Sequence, residues 1–191
     1  MSREIVVCEE KIACLRAYFI DRGLLLCNDD GNLPSNKTVG GDWNSIVALM
    51  ERGEVFYSKL YKNKTTYLSR EFYYQIKSYK QRIDSVSDNG RKVYEFVHAV
   101  DMASIKEIKQ ALMMSSREFN SALKELCKEL LVTAARREKT LNDNGWCSFY
   151  WSTACSWEKL KPLPEVRMDS GRVYDLLFGM LEEVKILRLL R

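Results

Sequence analysis

The spacing of apolar residues between Arg91 and Thr153 changes from a helical period to an alternating one, with polar residues where each element ends. Three helices are predicted, over Arg91–Val100, Ser104–Leu112 and Ser116–Leu131. Two strands follow, over Val132–Lys139 and Trp146–Thr153, with a polar tip at 140–145. This order is typical of a winged helix-turn-helix, a module that usually binds nucleic acid or another protein.

The chain before this module shows the same two periods in shorter runs. The predicted elements are a helix over Glu4–Arg22 that ends at Gly23, a short strand over Leu24–Leu26, a helix capped by Asp42, hairpin strands over Val55–Leu60 and Thr65–Leu68, and a helix over Arg70–Lys80. Residues 85–90 (SVSDNG) are typical of a linker, because they are mostly polar and include a glycine.

A last amphipathic helix is predicted after Asp169. Its apolar side is formed by Val173, Leu176, Leu177, Met180, Leu181, Val184, Leu187 and Leu190. A stripe this apolar needs a partner. We expect it to pack on the first helix, around Ile12, Leu15 and Phe19, or else to pair two copies of the chain as a homodimer.

Together these elements predict an α+β fold in three parts. They are an N-terminal part of helices and a β-hairpin over 1–86, a winged helix-turn-helix over 87–158, and a connector with a packing helix over 159–191. The 191 residues are enough for one large domain or for two small ones that share a core.

The amino-acid composition excludes only a few classes of protein. The net charge of +4 is mild, so the distribution of charge matters more than its total. The six cysteines include no CxxC pair and there is one histidine, so neither a metal site nor a cofactor is predicted. Met1–Glu10 has no long apolar core, and no apolar run approaches the ~20 residues that span a bilayer. We expect a cytoplasmic protein with reduced thiols and no membrane association.

The long helix of the module would be the recognition helix if the protein binds duplex DNA. Its candidate contacts are Arg117, Asn120 and Lys124, with Ser121 and Lys128 also directed outward. Arginine and asparagine can bond base edges, while lysine neutralises phosphate. Glutamates at 118, 125 and 129 share the helix and would repel phosphate, so a solvated face of ordinary ion pairs is equally compatible with the pattern.

The first strand of the wing carries Arg136, Arg137 and Lys139, which are candidate phosphate contacts. Exposed strands also carry such residues simply to discourage edge pairing. The aromatic residues after the wing tip are expected to be mostly core, although Tyr150 or Trp157 could offer a stacking surface.

The segment Val55–Arg82 is rich in cations and aromatic rings, with Glu71 as its one acid. Lys59, Lys62 and Lys64 of the hairpin are candidate nucleic-acid contacts. Positive charge for a backbone and flat rings for exposed bases suit a single-stranded or distorted nucleic acid. Aromatic residues that fill a core, with lysines for solubility, are the alternative.

One segment, Gly53–Phe72 (GEVFYSKLYKNKTTYLSREF), carries a family resemblance. It resembles the AlkZ-related proteins, distant relatives of the winged-helix AlkZ/YcaQ-type DNA glycosylases. The matching residues are Gly23-Leu24, Asp42-Trp43, Gly53, Val55, Tyr57, Lys59, Lys64, Ser69 and Phe72, with Trp146 near the second wing strand. The resemblance extends from Gly23 to Trp157 and implies a winged-helix fold and an affinity for DNA.

Catalysis does not carry over from that resemblance. The full-length glycosylases use a Gln-x-Gln pair, whereas the three glutamines here, Gln75, Gln81 and Gln110, include no such pair. No Gly-rich phosphate loop, HExxH or GxSxG motif is present either, so no catalytic residue is predicted. The leading hypothesis is a non-catalytic, winged-helix DNA-binding protein. The alternatives are a protein–protein adaptor that binds no nucleic acid and a residual glycosylase that uses an unrecognised carboxylate.

Overall fold

The computed structural model describes residues 7–140 and 147–161, together with Gly171. The helices are α1 (Glu9–Arg22), α2 (Trp43–Glu51), α3 (Arg70–Ile76), α4 (Asp88–Val100), α5 (Ile105–Ala111), α6 (Ser116–Lys128) and α7 (Ala154–Leu160). The strands are β1 (Leu24–Leu26), β2 (Val55–Ser58), β3 (Thr66–Ser69), β4 (Met102–Ser104), β5 (Val132–Thr140) and β6 (Cys147–Thr153). The described part is therefore an α+β structure with small antiparallel sheets, as the sequence predicted.

The first sheet has the strand order β1-β3-β2, with Leu25 opposite Tyr67 and Tyr57 opposite the same tyrosine on the other side. Gly23 ends α1 with a φ of 69°, and this turn leads directly into β1. A side chain at this position would be strained, and its Cβ would lie 2.9 Å from the Cβ of Phe72. The turn therefore requires glycine, as the sequence predicted.

The second sheet has the order β4-β6-β5, and its strands flank α5 and α6 in the chain. Ser104 and Ser115 cap α5 and α6, and each forms a capping box with the glutamate three residues later. The serine side chain accepts a hydrogen bond from the first turn while the glutamate accepts one from the cap residue, so four otherwise unpaired amides are satisfied. Both helices begin within one residue of the predicted starts.

Several local details differ from the sequence prediction. The helix predicted over Arg70–Lys80 ends at Ile76 and is followed by a 3₁₀ turn over Lys77–Tyr79. The linker predicted over 85–90 is partly wrong, since its last three residues belong to the next helix. Helix α4 begins at Asp88 rather than Arg91, because Ser87 caps it by accepting a hydrogen bond from the amide of Gly90. Helix α6 ends at Lys128 rather than Leu131, because Leu130 takes a left-handed φ of 54°. Strand β4 and helix α7 were not predicted. Both are short, and periodicity over so few residues is weak.

The N-terminal elements and the second sheet share one apolar core. Its buried residues come from α1, α2 and β3 as well as from α4, α6 and β6. Thr133 of β5 also joins the two sheets, since its hydroxyl accepts from the Tyr57 amide at 2.9 Å and donates to the Tyr57 carbonyl at 3.2 Å. The segment before α4 is part of this core, because Val86 is buried. The two sheets consequently hold the hairpin in a defined position beside α6.

The predicted C-terminal helix, the wing tip and Trp146 lie outside the described residues. Helix α1 packs against α2, and its residues Ile12, Leu15 and Phe19 lie in the shared core with Ile46 and Leu49. Among the helices that are described, none is long and apolar enough to cross a membrane.

Candidate nucleic-acid interface

The outer face of α6 carries the residues that the sequence predicted there. Arg117, Asn120 and Lys124 are exposed, as are Ser121 and Lys128, while Phe119, Ala122, Leu126 and Cys127 are buried on the other side. Burial also raises the pKa of the Cys127 thiol, which makes it an unreactive core residue. The helix thus presents an amide, a hydroxyl and three cations to the outside.

The glutamates of α6 do not pair with its cations. Glu118 accepts a hydrogen bond from the Ser115 amide at 2.9 Å, and Glu125 accepts one from the Ser87 amide at 3.0 Å. Glu129 is 8% exposed and lies near Arg82. Within the described part of the chain, the cations of α6 form no ion pair. The acids of the helix keep their charge, but they are not paired with its cations, so Arg117, Lys124 and Lys128 are free of ion pairs with their own helix.

The lysines of the hairpin have different surroundings. Lys59 is half-buried and donates to the Thr65 hydroxyl at 2.6 Å, and burial lowers its pKa. Lys62 and Lys64 are exposed, and their Nζ atoms lie 3.1 and 3.5 Å from Oδ2 of Asp30. Asp30 belongs to the loop after β1 and its side chain is only 3% exposed. Burial alone would raise the pKa of Asp30, but backbone amides and Lys62 donate to its carboxylate and hold the pKa below its ordinary value.

A pocket connects the hairpin with α6, and we call it the helix–hairpin pocket. Tyr57, Lys59 and Asn63 line it from the hairpin, Asn120 and Lys124 from α6, and Trp151 from β6. It encloses about 330 Å³, and the Leu123 and Cys127 side chains complete its wall. The backbone keeps the two sides together, because the Lys59 amide donates to the Cys127 carbonyl at 3.4 Å. The nucleic-acid contacts predicted on the hairpin and on α6 thus lie on one surface.

The three cations of the wing are not equivalent. Arg136 is exposed and lies over the ring of Tyr150, 5.4 Å from its centroid. Lys139 is exposed and forms no ion pair among the described residues. Arg137 differs, because its amide donates to Glu51 at 3.0 Å and its side chain is only 14% exposed, with Nε 4.0 Å from the same carboxylate. Arg137 thus ties the wing to α2, while Arg136 and Lys139 remain accessible.

Most of the aromatic residues between Val55 and Arg82 are core, which favours the packing alternative. Phe56, Tyr61, Tyr67, Phe72 and Tyr73 are buried, and Tyr57, Tyr74 and Tyr79 are half-buried. The prediction that Trp157 could be a stacking surface is wrong. It is 1% exposed, and the Arg70 guanidinium lies 4.2 Å from its ring centroid. Tyr150 is half-buried and remains available at the surface.

Sequence reasoning missed Asn63 and the place of Trp151 in the pocket. Asn63 has a φ of 59° at the hairpin tip, a conformation that asparagine tolerates better than most residues. That turn was recognisable, but its proximity to α6 depends on the packing of one sheet on the other. Trp151 is 5% exposed, and its Nε1 has no hydrogen-bond partner among the described residues.

No cluster of three or more potential metal ligands occurs in the described segments. A second pocket lies between α7, α4 and the segment that follows α3, and it is bordered by Glu158, whose carboxylate already has partners. Tyr73 donates to it at 2.6 Å and Lys77 at 2.8 Å, and Gln81 in turn donates to the tyrosine at 2.7 Å. Burial, together with this carboxylate, raises the pKa of Tyr73. Glu158 is thus a structural anchor between α7 and α3.

The comparisons with known proteins give one family. A family model described as AlkZ related matches residues 35–185, which include α2 and every later described element, the hairpin among them. Searches of curated proteins and of solved structures found no match. The resemblance seen in the hairpin segment is thereby confirmed, and the chain belongs to the AlkZ-related family.

Proposed function

We propose that 87–158 forms a winged helix-turn-helix and that the protein binds DNA without catalysis. The order α4-β4-α5-α6-β5-β6 with a three-stranded antiparallel sheet supports the fold assignment. In such a module α6 is the recognition helix, and the β5–β6 hairpin is the wing. Membership of the AlkZ-related family supports a relation to DNA-processing proteins.

The observation that carries the proposal is the helix–hairpin pocket together with the cations around it. Lys59 and Lys124 lie on opposite sides of the same pocket, next to the exposed Lys62 and Lys64. The cations of α6 form no ion pair with the acids of the same helix within the described residues, so they are available to phosphate.

Individual residues have distinct roles in the proposal. Arg117 and Asn120 on α6 reach base edges, because their side chains can form paired hydrogen bonds there. Lys124, Lys62 and Lys64 neutralise phosphates, and so do Arg136 and Lys139 of the wing. Arg137 orients the wing through Glu51 and contributes less to phosphate binding.

The non-catalytic part of the proposal rests on the missing Gln-x-Gln pair and on the engaged carboxylate of Glu158. We expect no release of alkylated bases from DNA in single-turnover reactions with protein in excess. Release that co-purifies with the protein and disappears in a Glu158→Gln variant would refute this part and favour a residual glycosylase.

We also propose that the protein acts in the cytoplasm, where its six free cysteines stay reduced.

Removing charge from the proposed interface tests DNA binding. The double variant Arg117→Ala/Lys124→Ala should bind a 20-base-pair duplex more weakly, and its salt dependence should be shallower by about one unit of slope for each phosphate that is no longer neutralised. Fluorescence anisotropy between low and moderate salt measures both quantities. A matched control is Arg22→Ala, which removes a half-buried cation of α1 that pairs with Asp21.

Comparison of the double variant with Arg22→Ala separates contacts made by α6 from a general attraction between positively charged protein and DNA. The proposal requires that Arg22→Ala leaves the salt slope unchanged. Equal slopes for the wild type and the double variant would contradict the assignment of α6. If the wild-type protein also bound DNA weakly, equal slopes would favour the alternative of a protein–protein adaptor that binds no nucleic acid.

A further inference from the structure

The helix–hairpin pocket is lined by aromatic rings together with carboxamide and ammonium groups. Tyr57 and Trp151 meet edge to face, with ring centroids 5.4 Å apart, and both line the pocket. Two carboxamides, of Asn63 and Asn120, and the ammonium groups of Lys59 and Lys124 line it as well. The described lining residues include no carboxylate. Such a set favours a ligand that is flat, hydrogen-bonding at its edges and negatively charged.

Trp151 adds a buried indole to this lining. Only 5% of its surface is exposed, so the surrounding core holds the ring in place. The tryptophan thus provides a fixed apolar wall of the pocket.

We propose that the helix–hairpin pocket binds one unpaired nucleotide of a DNA strand. This inference rests on the proposed function and deepens it, because it names the DNA structure that the protein prefers. The base contacts the aromatic side chains, the two asparagines bond its edges, and the lysines neutralise the adjoining phosphates. The volume of about 330 Å³ lies at the lower end of the range of small-ligand pockets and suits one nucleotide rather than several.

The pocket is also placed where an unpaired base could reach it. Asn120 and Lys124 belong both to the exposed face of α6 and to the pocket lining. A strand that contacts α6 therefore passes the mouth of the pocket. A fully paired duplex presents no free base there, so we expect it to leave the pocket empty.

The test compares two duplexes that differ by a single unpaired nucleotide. The full-length protein should bind a 20-base-pair duplex with a one-nucleotide bulge roughly tenfold more tightly than the same duplex without it. Asn120→Ala and Trp151→Phe should each reduce this ratio, the first by removing an edge contact and the second by reducing the aromatic surface of the pocket. Gln110→Ala, which removes a carboxamide from an exposed position on α5 outside the pocket, should keep the ratio of the wild type.

The outcomes distinguish this inference from the proposed function. A wild-type ratio of one, with salt-dependent binding of both duplexes, overturns the pocket assignment and leaves the DNA-binding proposal intact. Binding of neither duplex overturns both. A preserved ratio in both pocket variants, with unchanged melting temperatures, also overturns the assignment. Free deoxynucleoside monophosphates that compete as strongly as bulged DNA would show a mononucleotide site and refute the role of the strand.

Discussion

At the scale of single residues, Asp30 is the carboxylate that pairs with the two exposed lysines of the hairpin tip. Its buried carboxylate lies near Lys62 and Lys64 and also accepts hydrogen bonds from the amides of Asn32 and Leu33. A phosphate that approaches the tip must compete with this carboxylate for both lysines. The free protein thus has part of its proposed binding charge already neutralised.

Asp30→Asn should therefore strengthen DNA binding. The amide oxygen can still accept from the loop amides, but it no longer neutralises Lys62 and Lys64. We expect a higher affinity at low salt and a salt slope steeper by about one to two units, because two phosphate contacts become available. Anisotropy titrations at several salt concentrations measure this change.

Asp29→Asn is the matched control for that experiment. Asp29 is adjacent, but its carboxylate accepts from Ser35 and Thr38 rather than from the hairpin lysines. Its replacement should alter the loop without freeing hairpin charge. An equal increase in affinity for both variants would show that removing any negative charge suffices, and it would contradict a specific role for Asp30.

At the scale of elements, α6 depends on the capping box that Ser115 forms with Glu118. Ser115→Ala removes the hydroxyl that accepts from the Glu118 amide. We expect the free energy of unfolding to fall by about 1 kcal/mol, the usual cost of removing such a cap. Urea denaturation followed by circular dichroism provides the measurement.

Ser116→Ala tests whether the cap itself is responsible. Ser116 is the next residue, and its hydroxyl accepts from Lys109 at the surface without capping the helix. Its replacement should change the free energy of unfolding by less than about 0.5 kcal/mol. Equal decreases for the two serines would contradict the capping role of Ser115.

The elements also show how far local sequence determines this fold. Caps such as Asp42, Ser104 and Ser115 act within three or four residues, so helix starts could be predicted from them. Strand β4 could not be predicted, since its three residues are stabilised by pairing with the distant β6.

The candidate site could likewise be predicted from local sequence only in part. The outward face of α6 follows from its period, whereas its position against the hairpin arises only from packing.

At the scale of the whole molecule, one core connects the hairpin, α1 and the second sheet. The apolar stripe predicted after Asp169 lies largely outside the described residues, and its two expected partners, α1 of the same chain and a second copy of the chain, lead to different results on truncation. We propose that it pairs two copies of the chain. A chain that ends at Lys161 should then remain folded but sediment as a monomer, whereas the full-length protein sediments as a dimer.

Full-length protein with Leu177→Gln and Leu181→Gln is the control, since it retains the segment but weakens its apolar stripe. It should also sediment as a monomer at the same concentration. A truncated chain that loses its cooperative thermal transition would instead show that the segment packs within its own chain. That result would refute the dimer proposal.

The central claim is that the protein binds DNA mainly through phosphate contacts around α6, the hairpin tip and the wing. The most direct test is the affinity of the wild-type protein for a duplex, measured over a range of salt concentrations. With several accessible cations, we predict that the logarithm of the binding constant falls linearly with the logarithm of salt, with a slope of about −3 to −5. A slope near zero, or no binding at low salt, would contradict the claim.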